Sequence, residues 1–244
     1  MAEFDRQRAA APTSTTHTHE IDAGLRSYMM KVYNYMALGV AFTAVVTLFV
    51  ASNPALMQAV ALGPMKWVLF GGLLGMGWFA GRLIFSGNTM LAHLCFWGYA
   101  GLWGVLISPM IHVYMGQDPG IVVRAFAITA VTFGATSLYG YVTKRDMSAL
   151  GTFFMMASIG LIVAMLVNAF FVQSSMMSLL VSGAVVLLFS AITAWETQAV
   201  KQMYIHGDDH GVTQQKAIFG AFMLYGSFIT LFIHILNILG IMRE

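Results

Sequence analysis

The chain has 244 residues, 59% of them hydrophobic and only 9% charged, with a net charge of +2 and a mean hydropathy of +0.76. A soluble domain carries about 25% charged residues, so this composition excludes a water-soluble globular protein. With so small a net charge, and no basic patch interleaved with aromatics, no nucleic-acid partner is expected. The single cysteine, Cys95, forbids an intramolecular disulfide. Nineteen Met and 24 Gly point to helices that pack through small and pliable side chains.

Residues 1–24 read as a disordered cytoplasmic tail and residues 25–244 as one membrane domain. The stretch Met1 to Glu20 is polar and low in complexity, and it lacks the apolar core of a signal peptide. His17 and His19 belong to this solvated tail. Charge-free stretches then mark spans near Val32–Ala51, Trp67–Phe85, Met90–Val113 and Ile121–Val142. The first ends at Ser52-Asn53-Pro54, where a helix stops. The second contains Gly71-x-x-x-Gly75 and Gly77-x-x-x-Gly81, the spacing that lets membrane helices approach closely. From Met147 to Trp195 there is no charged side chain at all. Each crossing needs ~20 apolar residues, so this run divides into Ser148–Val172 and Met176–Glu196, with a break at Gln173-Ser174-Ser175. The last segment, Ala217–Met242, is either a seventh crossing or a re-entrant piece. The expected class is an all-α membrane protein with seven transmembrane helices.

The basic residues orient it. With the N-terminus in the cytoplasm, nine of the 12 Lys and Arg fall on the cytoplasmic side, and only Lys66, Arg124 and Arg243 fall on the other. Arg124, near the start of the fourth span, is expected to snorkel to the interface.

Glu196 is the leading chemical candidate, because it ends an apolar run where a bare carboxylate is expensive and needs a partner or a proton. Two readings stay open. Either it lies at the interface and pairs with Lys201, or it faces the bundle interior as a proton-sensitive gate or cation ligand. On the last span, Ser227, Thr230, His234 and Asn237 step by three, four and three, and so share one helical face, with Tyr225 close by. Such a stripe makes helix-to-helix hydrogen bonds or lines a path. His234 adds a group that titrates near neutral pH. The segment His206-Gly207-Asp208-Asp209-His210 reads as a solvated loop. No hydrolase or phosphate-loop signature is present, so no enzyme is expected.

Three passages carry a resemblance. They are Ser137-Leu138-Tyr139-Gly140-Tyr141 leading into the basic turn at Lys144, Arg145 and Asp146; Trp195-Glu196-Thr197-Gln198; and Leu224-Tyr225-Gly226-Ser227-Phe228-Ile229-Thr230-Leu231-Phe232. Together they resemble the Bax inhibitor-1 family, in its bacterial branch, from about Leu25 to Gly240. The resemblance implies a seven-helix fold with the last helix central and wrapped by the other six. It also implies a pH-sensitive calcium leak, regulated by two membrane aspartates on the sixth and seventh helices. Glu196 stands for one of these, whereas Ser227 stands for the other and cannot ionise. Two carboxylates in contact share a proton; an acid and a hydroxyl do not. Asn237 stands where the family commonly has a basic side chain.

Two functions are therefore expected. One is a calcium or cation leak gated around Glu196, with Ser227 and His234 in the pathway or its pH sensing. The other is a non-conducting membrane interaction protein that modulates membrane proteolysis, quality control or stress response, with a membrane-bound protease as the type of partner. Calcium enters only as a permeant ion that Glu196 would bind, and no resident cofactor or metal is expected. The expected location is a bacterial inner membrane.

Overall fold

A computed structural model describes the backbone of residues 14–61 and 63–243, and side chains from residue 23 onward. The helices are α1 (Ser14–Ala51), a short α2 (Pro54–Ala61), α3 (Met65–Ile84), α4 (Thr89–Gln117), α5 (Pro119–Val142), α6 (Leu150–Val167), α7 (Ser175–Gln202) and α8 (His210–Ile241). Seven of them, all but α2, are long and apolar enough to cross a membrane. There is no strand among the described residues. The seven-span expectation holds.

Helices α4 and α7 outrun the spans read from charge-free stretches at their C-terminal ends, while polar caps fix where they begin. Asn88 accepts from the backbone N–H groups of Met90 and Leu91 at the start of α4, and Ser174 accepts from Met177 at the start of α7. Asn53 does the same for α2, whose first residue is Pro54. A proline is favoured there since its missing N–H is one that a first turn leaves unused. So the expected stop at Ser52-Asn53-Pro54 is real, but it also starts a helix that the apolar pattern did not reveal. The first helix begins at Ser14, inside the stretch read as a tail, since extending a formed helix adds one hydrogen bond per residue fixed. Residues 1–13 of that tail lie outside the described residues.

The break inside the long neutral run is where it was expected. The α6 helix ends in a wide turn over Asn168–Val172, in which Gln173 N–H donates to Asn168 O at 2.7 Å. Gln173 then takes a left-handed backbone (φ 49°). The Asn168 side chain closes the corner by bonding both backbone groups of Ser174.

Helix α8 is the deepest of the bundle. In its most apolar stretch 61% of residues are buried, against 6% to 33% in the other crossing helices. It packs against α1, α3, α4, α5 and α7, while α6 lies outside and packs chiefly on α7. Being one unbroken helix of 32 residues, about 48 Å long at 1.5 Å per residue, it is not a re-entrant hairpin.

Close helix approach occurs at other glycines than those with the four-residue spacing. A side chain on Gly104 would meet Val46 Cβ at 2.8 Å, and one on Gly140 would run into the carbonyl of Ala194. These two seal the α1–α4 and α5–α7 crossings. Around Gly71, Gly75 and Gly81 nothing lies within 4 Å of an added Cβ. The spacing is there, but no neighbouring helix approaches these residues closely in this chain.

Candidate functional site

Glu196 sits six residues before the end of α7, about 9 Å along the helix axis from Gln202. The reading that pairs it with Lys201 is not what forms. Lys201 turns away, donating to Tyr141 O at 2.9 Å and lying over the Tyr141 ring at 4.9 Å. Its positive charge in the last turn suits the helix C-terminus, and the helix therefore runs on past Glu196. The carboxylate instead accepts a hydrogen bond from Ser227 Oγ on α8 at 2.6 Å. The two positions singled out by the resemblance do meet.

Around this contact is a cleft of about 500 Å³ between α3, α4, α7 and α8. Glu196, Ser227 and Thr230 supply its polar lining, and Tyr99, Trp103, Phe222 and Met223 much of the rest. Trp103 Nε1 is buried, and the Tyr99 and Trp103 rings meet nearly at right angles, 6.3 Å apart. The Thr230 hydroxyl is committed to Gly226 O on its own helix at 2.9 Å.

Residues 197 and 198 point elsewhere, and each fixes another part of the bundle. Thr197 Oγ1 bonds Ser137 at 2.9 Å, and Ser137 bonds Tyr33 at 2.7 Å, linking α7, α5 and α1. Gln198 clamps the basic turn, donating from Nε2 to Arg145 O and accepting at Oε1 from Met147 N–H, both at 2.8 Å. Asp146 accepts from Ser148 N–H at 2.9 Å, and the Ser148 hydroxyl, with that backbone N–H, keeps its pKa below the ordinary value. The basic turn of Lys144, Arg145 and Asp146 thus serves as the seat of α7. Two sequence passages marked separately prove to be one docking.

The stripe on α8 divides. Asn237 donates to Ser178 at 3.0 Å and to Ser182 at 2.9 Å, and His234 Nδ1 pairs with Ser182 at 3.2 Å. These residues tie α8 to α7, and neither His234 nor Asn237 lines the Glu196 cleft. Tyr225 faces the other way and is fully buried, its hydroxyl 2.7 Å from Thr43, which also donates to Ala100 O. Sequence reasoning passed over Thr43, Ser137 and Tyr33. Ser137 was in view as part of a matched passage, but only the fold shows what it holds.

At the opposite end of the bundle Asp118 caps α5 through Gly120 N–H at 2.8 Å. It is joined by Arg124 at 2.5 Å and by Arg243. Arg124, 58% exposed at this end of α5, pairs with this carboxylate. In the loop before α8, Asp208 pairs with Lys216 at 2.5 Å. Among the described residues no three His, Cys, Asp or Glu side chains gather as a metal site.

The family pattern described as "Inhibitor of apoptosis-promoting Bax1" matches residues 25–244. The chain belongs to the Bax inhibitor-1 family. It is 37% identical over 232 residues to the uncharacterized protein RP147 of Rickettsia prowazekii, covering 95% of this chain and 97% of that one. It is 34% identical over 221 residues to the inner membrane protein YbhL of Escherichia coli K12, covering 89% and 93%. An uncharacterized protein of Caulobacter vibrioides is 32% identical over 254 residues, covering both chains in full. This Bax inhibitor-1 family chain is accordingly an integral membrane protein, with large apolar side chains exposed along its crossing helices.

Proposed function

We propose that this protein is a proton-sensitive cation leak whose gate is the Glu196–Ser227 contact. The observation behind this reading is a membrane carboxylate held by one hydroxyl at 2.6 Å on the wall of a cleft of about 500 Å³. A carboxylate so placed attracts a cation when charged and releases it when protonated. The single hydrogen bond to Ser227 ties that change to the position of the most buried helix. A resident calcium ion would want six to eight oxygens, so one carboxylate with a hydroxyl suits a passing ion rather than a stored one. In this reading the chain lies in a bacterial inner membrane, as its relative YbhL is named to do. The N-terminus and the basic turn then face the cytoplasm. His234, bound into the α7–α8 seam, is outside the gate.

The test is calcium flux into dye-loaded liposomes at stepped pH, comparing the wild type with Glu196→Gln. Flux that depends on pH in the wild type and loses that dependence in the variant supports the gate. Flux identical in the two proteins removes Glu196 from it.

A second reading has an observation of its own. Gly71 and Gly75, one turn apart on α3, present a small-residue face that no helix of this chain approaches closely, and such faces pair membrane helices. A non-conducting protein that docks a membrane partner through α3 would show no flux at any pH, and would lose its partner on Gly75→Leu.

A further inference from the structure

Between α1 and α5, at the end of the bundle that carries Lys144 and Lys201, lies a groove of about 630 Å³. Its floor is the 2.7 Å bond between Tyr33 and Ser137. Met29 and Phe133 are buried in its depth, while Met30 and Leu138 stand more than half exposed along its rim. At Gly134 the wall of α5 carries no side chain, and a Cβ added there would meet nothing within 4 Å. The slot is therefore open rather than packed.

Any apolar slot in a bilayer takes up whatever chain lies beside it, so selection must come from charge. Here the charge is at one end only. Arg26 lines the groove, Tyr141 lines the opposite wall, and Lys201 lies over that ring at 4.9 Å. Among the described residues no carboxylate lines the groove. An Arg guanidinium matches two phosphate oxygens at once, and basic pockets between membrane helices recruit anionic headgroups.

We propose that this groove holds one anionic phospholipid, its phosphate on Arg26 and one acyl chain in the slot beside Gly134. The chain would rest on Tyr33 and Ser137, and Ser137 bonds Thr197, the neighbour of Glu196. The lipid would thus brace the α1–α5–α7 junction from the membrane side. This site is separate from the cleft at Glu196 and does not depend on conduction.

The experiment is native mass spectrometry of the delipidated full-length protein in detergent, titrated with phosphatidylglycerol or with phosphatidylcholine of the same acyl chains. The wild type should retain one copy of phosphatidylglycerol about fivefold better than phosphatidylcholine, the preference one basic side chain near the membrane surface supplies. Arg26→Gln should bring the two lipids to parity. Gly134→Leu, which fills the slot, should release that copy of either lipid. Leu138→Trp fills the same slot from its rim and replaces Gly134→Leu should that variant lose its helical circular dichroism. Arg124→Gln, at the far end of the bundle, should keep the preference. Equal retention of both lipids by the wild type overturns the proposal. So does a preference that survives Arg26→Gln, or one lost with Arg124→Gln.

Discussion

The seam between α7 and α8 has two ends built from similar residues with opposite outcomes. At one end Ser178, Ser182, His234 and Asn237 satisfy one another with three hydrogen bonds across the seam. At the other, Glu196 has a single partner, Ser227, and a cleft on its open side. The first end behaves as glue: its side chains bond one another across the seam, and they line no part of the cleft at Glu196. The second carries a titratable group with spare acceptor capacity, which is what a switch needs. A polar stripe in a membrane helix therefore has no single meaning. Its meaning depends on what faces it across the seam and on whether space is left beside it.

The most direct way to break this contrast is to reverse the charge at the open end. Glu196→Lys puts an ammonium where Ser227 now donates, so donor faces donor, and a buried charge left without its partner costs about 3–5 kcal/mol. The variant should show sharply reduced yield and a lower melting temperature in detergent. A Glu196→Lys protein as stable as the wild type would mean that the cleft is wet enough to solvate any charge, and the switch reading would lose its basis.

Next in size is the hydrogen bond itself. Ser227→Ala removes the one donor that Glu196 has, and losing a bond to a charged group costs about 1.5–3 kcal/mol. Ser227→Asp tests the function instead. It restores the second carboxylate that the family resemblance implies, and two acids in contact share one proton. The variant should gain or strengthen a calcium flux that changes across the pH range in which the pair exchanges that proton. Adding His234→Asn to Ser227→Asp should leave the pH step where it is, because His234 is outside the cleft. A step that vanishes with His234→Asn would move the sensor to the glued end of the seam.

At that glued end the effects should be smaller. Asn237→Leu breaks two side-chain hydrogen bonds, and such bonds between membrane helices average about 0.6 kcal/mol each. The melting temperature should fall slightly, with flux and its pH dependence unchanged. A variant that alters flux would show that the two ends are coupled along α8.

Much of this architecture was legible in the residues. The absence of charge between Asp146 and Glu196 placed two helices and their break, because lipid tolerates nothing else over that length. The periodicity of Ser227, Thr230, His234 and Asn237 placed them on one face. What periodicity lacks is any report of the neighbour. Gly71 and Gly75 have the spacing of a close crossing and no partner in this chain, whereas Gly104 and Gly140 make crossings without that spacing. Lys201 was the charge nearest Glu196 in sequence, yet it bonds Tyr141 O. The contact of Glu196 with Ser227 came from the family resemblance, since nothing in the spacing of residues 31 apart requires it. The clamp of Gln198 on the basic turn was visible only as two matched passages with no stated relation.

The smallest predicted effect concerns an acid outside the membrane and sharpens the contrast from a third position. Asp118 accepts from Gly120 N–H and from Arg243 and Arg124, and these partners, the backbone donor first, hold its pKa below the ordinary 3.8. Glu196, by contrast, has no cation beside it. For an acid whose folded pKa is depressed, the stabilisation is present above the unfolded value and is lost as pH falls through the folded one. Wild type should therefore melt at a slightly higher temperature than Asp118→Asn above about pH 4. The gap should close as the pH is lowered further, when the wild-type carboxyl is neutral too. Flux through the protein should be the same in both at every pH, because the Asp118 cluster lies at the other end of the bundle from Gln202 and Lys144. A gap in melting temperature that widens on acidification would reverse the sign and show that Arg124 and Arg243 do not hold this carboxylate in its charged form.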